Sequence, residues 1–411
     1  MASLSLLLIF VSVLFVIGCL LTPVAARLGA PFLLLFLCIG MLMGEDGLGG
    51  IRFDDFPLAY EIGSVALALI LFAGGLDTDR KTLKLAAAPA FVLSIGGVVA
   101  TSAIVGIVIY MFFSISLAES LLLGAVVGST DAAATFLLLG QRNIKLKHDL
   151  SETLMVEAGI NDPMAIFLTI TMVAIVDNNL PFTIPTLVSF LPELVMQLGL
   201  GLLLGGIGGF IASVLINRVK MPVGLFAPFA TAAALLIFGT TAIFGGSGFL
   251  AVFIGGVVLR DRMAHQMERV RQFHDGLSWI SQIVLFLMLG MLVAPRDLLD
   301  HIALGLGVAV VLMFIARPVA TVLCLAPFRI GWRQQAFVGW VGLRGAVPIF
   351  LAIIPVISPG PVGSGFFDVV FVVVIASLFV QGWTISLVAR WLGLIAEPED
   401  GPELPLGKAK D

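Results

Sequence analysis

The stretch Glu157-Ala158-Gly159-Ile160-Asn161-Asp162, followed at once by Pro163, puts two carboxylates and a carboxamide inside residues 154–176, a segment otherwise apolar enough to cross a bilayer. An ionised side chain near the bilayer centre costs about 2.5–3.5 kcal/mol even on the gentlest insertion scale, so acids at this depth need partners and mark functional sites. At 100° per residue, Glu157 and Asn161 stack on one helix face, while Asp162 lies about 140° round from Glu157. The two acids therefore need not share a partner. Pro163 has no N–H to give the Gly159 carbonyl, which leaves a free oxygen one turn above the acids. The stretch offers fixed oxygen ligands around one exchangeable carboxylate. The competing reading is a structural polar cluster that glues helices together.

Composition sets the class around this stretch. Of 411 residues, 60% are hydrophobic and only 12% charged, and the mean hydropathy of +1.14 lies far outside the soluble range. The chain reads as an all-α polytopic membrane protein in contact with lipid. No basic patch points to nucleic acid. Cys19, Cys38 and Cys324 lie in apolar runs without a CxxC or a nearby His cluster, so neither a disulfide framework nor a zinc site is indicated, and no cofactor is expected. The first twenty residues mimic a signal peptide, with Val24-Ala25-Ala26 as an apparent cleavage site, but no Lys or Arg precedes the apolar run. They read as a retained first helix.

About thirteen apolar runs are long enough to span, those near 29–44 and 247–259 being short. An odd count puts the termini on opposite sides. Alternate loops carry Arg27; Arg80, Lys81 and Lys84; Arg142, Lys145 and Lys147; Arg218 and Lys220; Arg260, Arg262, Arg269 and Arg271; Arg329 and Arg333; and Arg390, Lys408 and Lys410, which is 18 of the 22 basic residues. The opposite loops have only Arg52 and Arg296. This asymmetry places the C-terminus in the cytoplasm and the N-terminus outside.

The remaining two basic residues, Arg317 and Arg344, fall inside apolar runs. Arg344 sits in Gly339-Trp340-Val341-Gly342-Leu343-Arg344-Gly345-Ala346-Val347-Pro348, and such interruptions are tolerated at membrane depth only where backbone is buried in protein or lines a cavity. A guanidinium there needs an anion, and Glu157 is the expected partner of Arg344. Arg317, just before Pro318, is assigned to charge compensation, with Asp131 or a tilted helix end as its candidate partner, or to a snorkelling structural role.

Gly128-Ser129-Thr130-Asp131-Ala132 weakens another apolar run, so local unwinding is expected, with backbone carbonyls exposed as cation ligands and Asp131 capping the helix that restarts at Ala132. Aligned on residues 338–351, residues 124–137 put Gly128 on Gly342, Thr130 on Arg344, Ala132 on Ala346 and Phe136 on Phe350. The two runs are in opposite membrane orientation, the arrangement of an inverted repeat whose broken helices cross at the midplane.

Ser129-Thr130-Asp131-Ala132, Glu157 with Asn161-Asp162-Pro163, and Gly342-Leu343-Arg344-Gly345-Ala346 together resemble the cation:proton antiporter superfamily, and within it the bacterial NhaP-type potassium/proton antiporters. The resemblance runs over nearly the whole chain, including Phe273-His274-Asp275-Gly276-Leu277 and Gly290-Met291-Leu292-Val293. It implies a thirteen-helix homodimer in the bacterial inner membrane. Residues 1–393 would form the transmembrane domain, with a moving core at about 85–177 and 301–393 and the remainder for dimerisation. It also implies that Asn161-Asp162 is the ion-binding pair, with Thr130, Asp131 and Ser129 at the unwound crossing and Glu157 bridged to Arg344. Asn161, where a second branch of the superfamily has an aspartate, implies one proton exchanged per monovalent cation. Residues 394–411 form a short polar tail, where potassium-linked relatives usually continue into a soluble regulatory domain.

The expected activity is electroneutral exchange of K+, in preference to Na+, for H+ by alternating access. Cation and proton compete at Asp162, whose burial favours the neutral form. Two other classes compete. A cation channel would show a carbonyl filter, and no repeated filter motif is present. An intramembrane hydrolase would need a second catalytic partner for Glu157 or Asp162. None of the four histidines, His148, His265, His274 and His301, falls inside an apolar run, and His274, just before the apolar run at 276–294, reads as a solvated loop residue in preference to a pH sensor.

Overall fold

The computed structural model describes residues 12–13, 15–18, 20 and 32–395, apart from 79–87, 142–143, 145, 147 and 264–265. Cys19, His265, the loop cations Arg27, Arg80, Lys81, Lys84, Arg142, Lys145 and Lys147, and the tail from 396 with Lys408 and Lys410 lie outside the described residues. Among the described residues all regular structure is helical, save one isolated bridge between Leu146 and Ile395.

In chain order the helices are α1 (Phe32–Met43), α2 (Phe56–Asp77), α3 (Ala88–Phe112), α4 (Leu117–Val126), α5 (Ala132–Gln141), α6 (His148–Asp177) and α7 (Ile184–Arg218). They continue with α8 (Val223–Ile243), α9 (Gly248–Arg262), α10 (Met267–Met291), α11 (Pro295–Phe328), α12 (Trp332–Trp340), α13 (Ala346–Ile357) and α14 (Gly365–Trp391). Eight of them (α2, α3, α6, α7, α8, α10, α11 and α14) are long and apolar enough to cross a membrane. Local chemistry starts several of them. Asp55 accepts from Leu58 N at 2.9 Å with Pro57 in the first turn of α2, Ser116 and Glu119 form a reciprocal capping box at α4, and Ser247 accepts from Leu250 N at α9.

The helices pack as two groups. One contains α1, α2, α7, α8, α9 and α10, and the other contains α3–α6 and α11–α14. Small residues set the closest approaches in the first group: a Cβ added at Gly256 of α9 would come within 2.6 Å of the Phe72 carbonyl of α2. The groups meet where α2, α9 and α10 face α6 and α13. Large apolar side chains such as Leu202, Leu203, Ile207, Phe210 and Ile211 of α7 stay exposed on the outside, as a lipid-facing surface requires.

Two features in the second group depart from regular helix. Residues 127–131 separate α4 from α5, and residues 341–345 separate α12 from α13, so the helices restart at Ala132 and Ala346, matching positions in the two stretches. In addition α3 carries a π turn at Leu93–Gly97 and α11 another at Leu312–Ala316. Such turns shift helix register and cluster at functional sites.

His274 corrects the expectation of a solvated loop. It lies within α10, only 1% exposed, with Nδ1 at 2.8 Å from the Val270 carbonyl oxygen, Nε2 at 3.1 Å from Thr231 Oγ1, and its ring edge-on to Phe72. The helix begins earlier than the apolar run does, because α10 opens on a charged turn, Met267-Glu268-Arg269-Val270-Arg271.

Candidate ion site at the crossing of two interrupted helices

The two breaks hold each other. Asp131 N–H donates to the Leu343 carbonyl at 2.8 Å, and Thr135 Oγ1 donates to the Val341 carbonyl at 3.2 Å. Asp131 Oδ1 accepts from Ala134 N at 2.9 Å, which caps α5 as its sequence suggests. Gly345 is needed here because a Cβ at that position would overlap the Asp131 carboxylate. Arg344 donates through Nη1 to the carbonyl oxygens of Gly128, at 3.2 Å, and Ser129. Its own backbone N–H donates to Ser377 Oγ at 3.0 Å, whose hydroxyl passes on to Gln381 Oε1 at 2.6 Å. Irregular backbone at this depth is thus satisfied by side chains and by the opposite break.

The expected Glu157–Arg344 pair is not formed. Arg317 takes its place, with Nη2 at 2.5 Å from Glu157 Oε1 and both side chains 1% exposed. The reason is local. The π turn directly before Arg317 turns its side chain from the lipid side of α11 into the second group, while the carbonyls freed by the first break claim Arg344. Thr130 Oγ1 adds a hydrogen bond to Glu157 Oε1 at 3.3 Å. Ser94, in the π turn of α3, donates to the Glu157 carbonyl at 3.0 Å. Ser94 escapes a sequence reading because one hydroxyl in an apolar run carries no pattern.

Asp162 faces elsewhere, as the 140° offset requires. Its Oδ1 accepts the Ser129 hydroxyl, and its side chain lines a cavity of about 490 Å3 together with Thr130, Asp131, Ala158 and Gly159. The opposite wall is supplied by the first helix group, through Ile70, Gly74 and Asp77 of α2, Phe253 of α9, and Asp275 and Trp279 of α10. At the far end the Asp77 side chain is 40% exposed, 3.6 Å from Arg271. Asp162 is 6% exposed yet reachable through this space.

Of the residues assigned to the ion, Asp162, Thr130 and Asp131 line the cavity, whereas Asn161, Glu157 and Ser129 do not. Asn161 is fully buried on the Glu157 face and donates through Nδ2 to Thr130 Oγ1 at 2.5 Å. Its Oδ1 has no hydrogen-bond partner among the described residues. Asn161 and Glu157 both contact the Thr130 hydroxyl in the break, and the Ser129 hydroxyl contacts Asp162. No cluster of three or more His, Cys, Asp or Glu suited to a tightly held metal is present among the described residues.

A carboxylate at the crossing of two interrupted membrane helices, reached through a cavity between two helix groups, defines a membrane transporter. Comparison with known proteins narrows this. The profile of the transmembrane sodium/hydrogen exchanger family matches residues 10–391. The K(+)/H(+) antiporter NhaP of Alkalimonas amylolytica is 43% identical over 403 residues, covering 98% of this chain and 70% of the relative. The K(+)/H(+) antiporter NhaP2 of Shewanella oneidensis is 41% identical over 392 residues, covering 94% and 67%. The sodium proton antiporter MjNhaP1 from Methanocaldococcus jannaschii shares the fold with a TM-score of 0.80 at 22% identity, covering 95% of this chain and 99% of that one. The chain belongs to the sodium/hydrogen exchanger family.

Proposed function

We propose that the protein exchanges a monovalent cation, K+ in preference to Na+, for H+ across the bacterial inner membrane, with both ions competing for Asp162. The observation that carries this reading is the placement of Asp162: the carboxylate lines the cavity while the arginines of the crossing are engaged by other groups. An alkali cation takes oxygen ligands, and Asp162 with Thr130 and Asp131 supplies them. The names of the relatives at 43% and 41% identity favour potassium.

Charge arithmetic supports electroneutral exchange. Around the crossing stand three acids, Asp131, Glu157 and Asp162, and two guanidiniums, Arg317 and Arg344. With all five ionised the site carries one net negative charge, which either a proton or one monovalent cation at Asp162 cancels. Both loaded forms are then neutral, and the empty form is the charged one that is costly to move through the bilayer.

Alternating access follows if the second helix group, with both breaks, moves against the first. The first group would be the dimerisation domain of a homodimer and the second the transporting core, related internally by inverted repeats whose breaks fall at matching positions. The N-terminus lies outside and the C-terminus in the cytoplasm in this reading, so the cavity near Arg260 and Arg271 opens inward. Dequenching of a pH-sensitive dye in vesicles, titrated with Na+, K+, Li+ and Rb+ at several pH values, tests it. Cation-dependent proton movement with K+ effective is expected, and cation flux with no proton counterflow would refute it.

A further inference from the structure

Phe136 and Phe350 occupy the same place in the two interrupted helices, each four residues beyond the alanine that restarts its helix. Their surroundings are opposite. Phe350 is fully buried against the first helix group. Its ring stacks on Tyr60 of α2 at 5.1 Å and 7°, and Phe249 of α9 meets it edge-on at 6.3 Å. Gly63 of α2 makes the seat, since a Cβ there would come within 2.8 Å of the Phe350 ring. Phe136 is only half-buried and lines the cavity, across which lie Ile70 and Gly74 of α2. A Cβ added at Gly74 would meet nothing within 4 Å.

Gly63, Ile70 and Gly74 fall on one face of α2, at spacings of seven and eleven residues. The two rings thus confront one stripe of the same helix at two depths, and only one of them is seated. With Phe350 seated, the space beside Asp162 is closed toward the Tyr60 end of α2 and open toward the Asp77 end.

We propose that Phe350 and Phe136 form one alternating aromatic seal, in which Phe350 on Tyr60 and Gly63 closes one side of the membrane, and Phe136 seated on residues 70–74 of α2 closes the other when Phe350 withdraws. This rests on the alternating access proposed above. Mutual exclusion is the essential point: both rings seated would trap the ion, and neither seated would leave an open pore.

The test uses the full chain with its three cysteines replaced, carrying either the pair Phe350→Cys and Gly63→Cys or the pair Phe136→Cys and Gly74→Cys, in vesicles treated with a mild oxidant. Each pair is expected to cross-link within one chain, to stop exchange when cross-linked, and to recover it on reduction. Cross-linking the Phe350 pair is expected to prevent seating at the other site, read in a chain that also carries Gly74→Cys as continued labelling of that free cysteine by a maleimide. A Phe136 pair that never cross-links in an actively exchanging protein overturns the seal while leaving alternating access intact. Full exchange in the cross-linked Phe350 pair overturns alternating access itself. Should the Gly63 variant not fold, Met155→Cys in the cavity serves as reporter. Phe350→Ala is expected to raise its labelling by an impermeant maleimide from the Tyr60 side several-fold, and Phe136→Ala not to. Equal labelling in both variants overturns the proposal.

Discussion

The Nη2 of Arg317 lies 2.5 Å from Oε1 of Glu157, a pair spanning 160 residues of chain and sealed from solvent on both sides. A buried pair of this kind adds little net stability over an apolar substitute, but removing one partner strands the other charge and costs about 3–5 kcal/mol. Arg317→Ala is therefore expected to lower the thermal stability in detergent sharply, and Glu157→Gln in the same chain to recover part of the loss. Arg344→Ala should show no such rescue, since its guanidinium binds backbone carbonyls. Rescue of Arg344→Ala by Glu157→Gln, with none for Arg317→Ala, would reverse the assignment.

Asp162→Asn keeps the shape of the side chain and its contact with Ser129 but cannot exchange a proton. The variant is expected to fold with near-native stability and to show no cation-dependent proton movement in proteoliposomes. Antiport close to the unmodified rate would remove Asp162 from the mechanism.

Competition at one carboxylate fixes the sign of the pH dependence. While the protonated form predominates, each unit of falling pH should raise the half-saturating K+ concentration about tenfold, because one proton must leave for each cation bound. The effect should flatten at high pH, where the acid is already ionised. A half-saturating concentration that does not change with pH would show that the ions use separate sites.

Neutral loaded states predict insensitivity to voltage. Moving one net charge across 100 mV is worth about 2.3 kcal/mol, so an electrogenic cycle would respond clearly to a valinomycin-clamped potential in Na+-driven exchange, and a neutral one would not. A strong response would mean a second exchangeable charge at the crossing.

Gly345→Ala should be more damaging than its size suggests. The added methyl group would collide with the Asp131 carboxylate, pushing the cap off α5 and loosening the Asp131–Leu343 contact. Exchange is expected to fall far more than expression, and normal exchange in the Gly345→Ala variant would show that the breaks tolerate rearrangement.

Much of this site is legible in the chain because membrane burial makes polar residues conspicuous. The restarts at Ala132 and Ala346, the cap at Asp131 and the separate facing of Asp162 all follow from short-range helix geometry acting on Gly, Asp and Pro. The partner of Glu157 does not, because it depends on a π turn at Leu312–Ala316 with no sequence signature that re-aims Arg317. The face of Asn161 is readable from the helix period, but its partner is not, because Thr130 reaches it from the unwound segment of another helix. The depth of His274 is equally hard to read, because charge at a helix end resembles a loop.

The hydrogen bond from Asp131 to Leu343 also constrains how the protein is made. At ten residues each, α4 and α5 are about 15 Å long apiece, half the thickness of the hydrocarbon layer. During synthesis the first break must wait, its polar backbone incompletely paired, until the ribosome has delivered the second one from the other half of the chain. Biogenesis of this transporter should therefore be vulnerable to any delay between those two halves, and the interlocking of the breaks should be among the last events of its assembly.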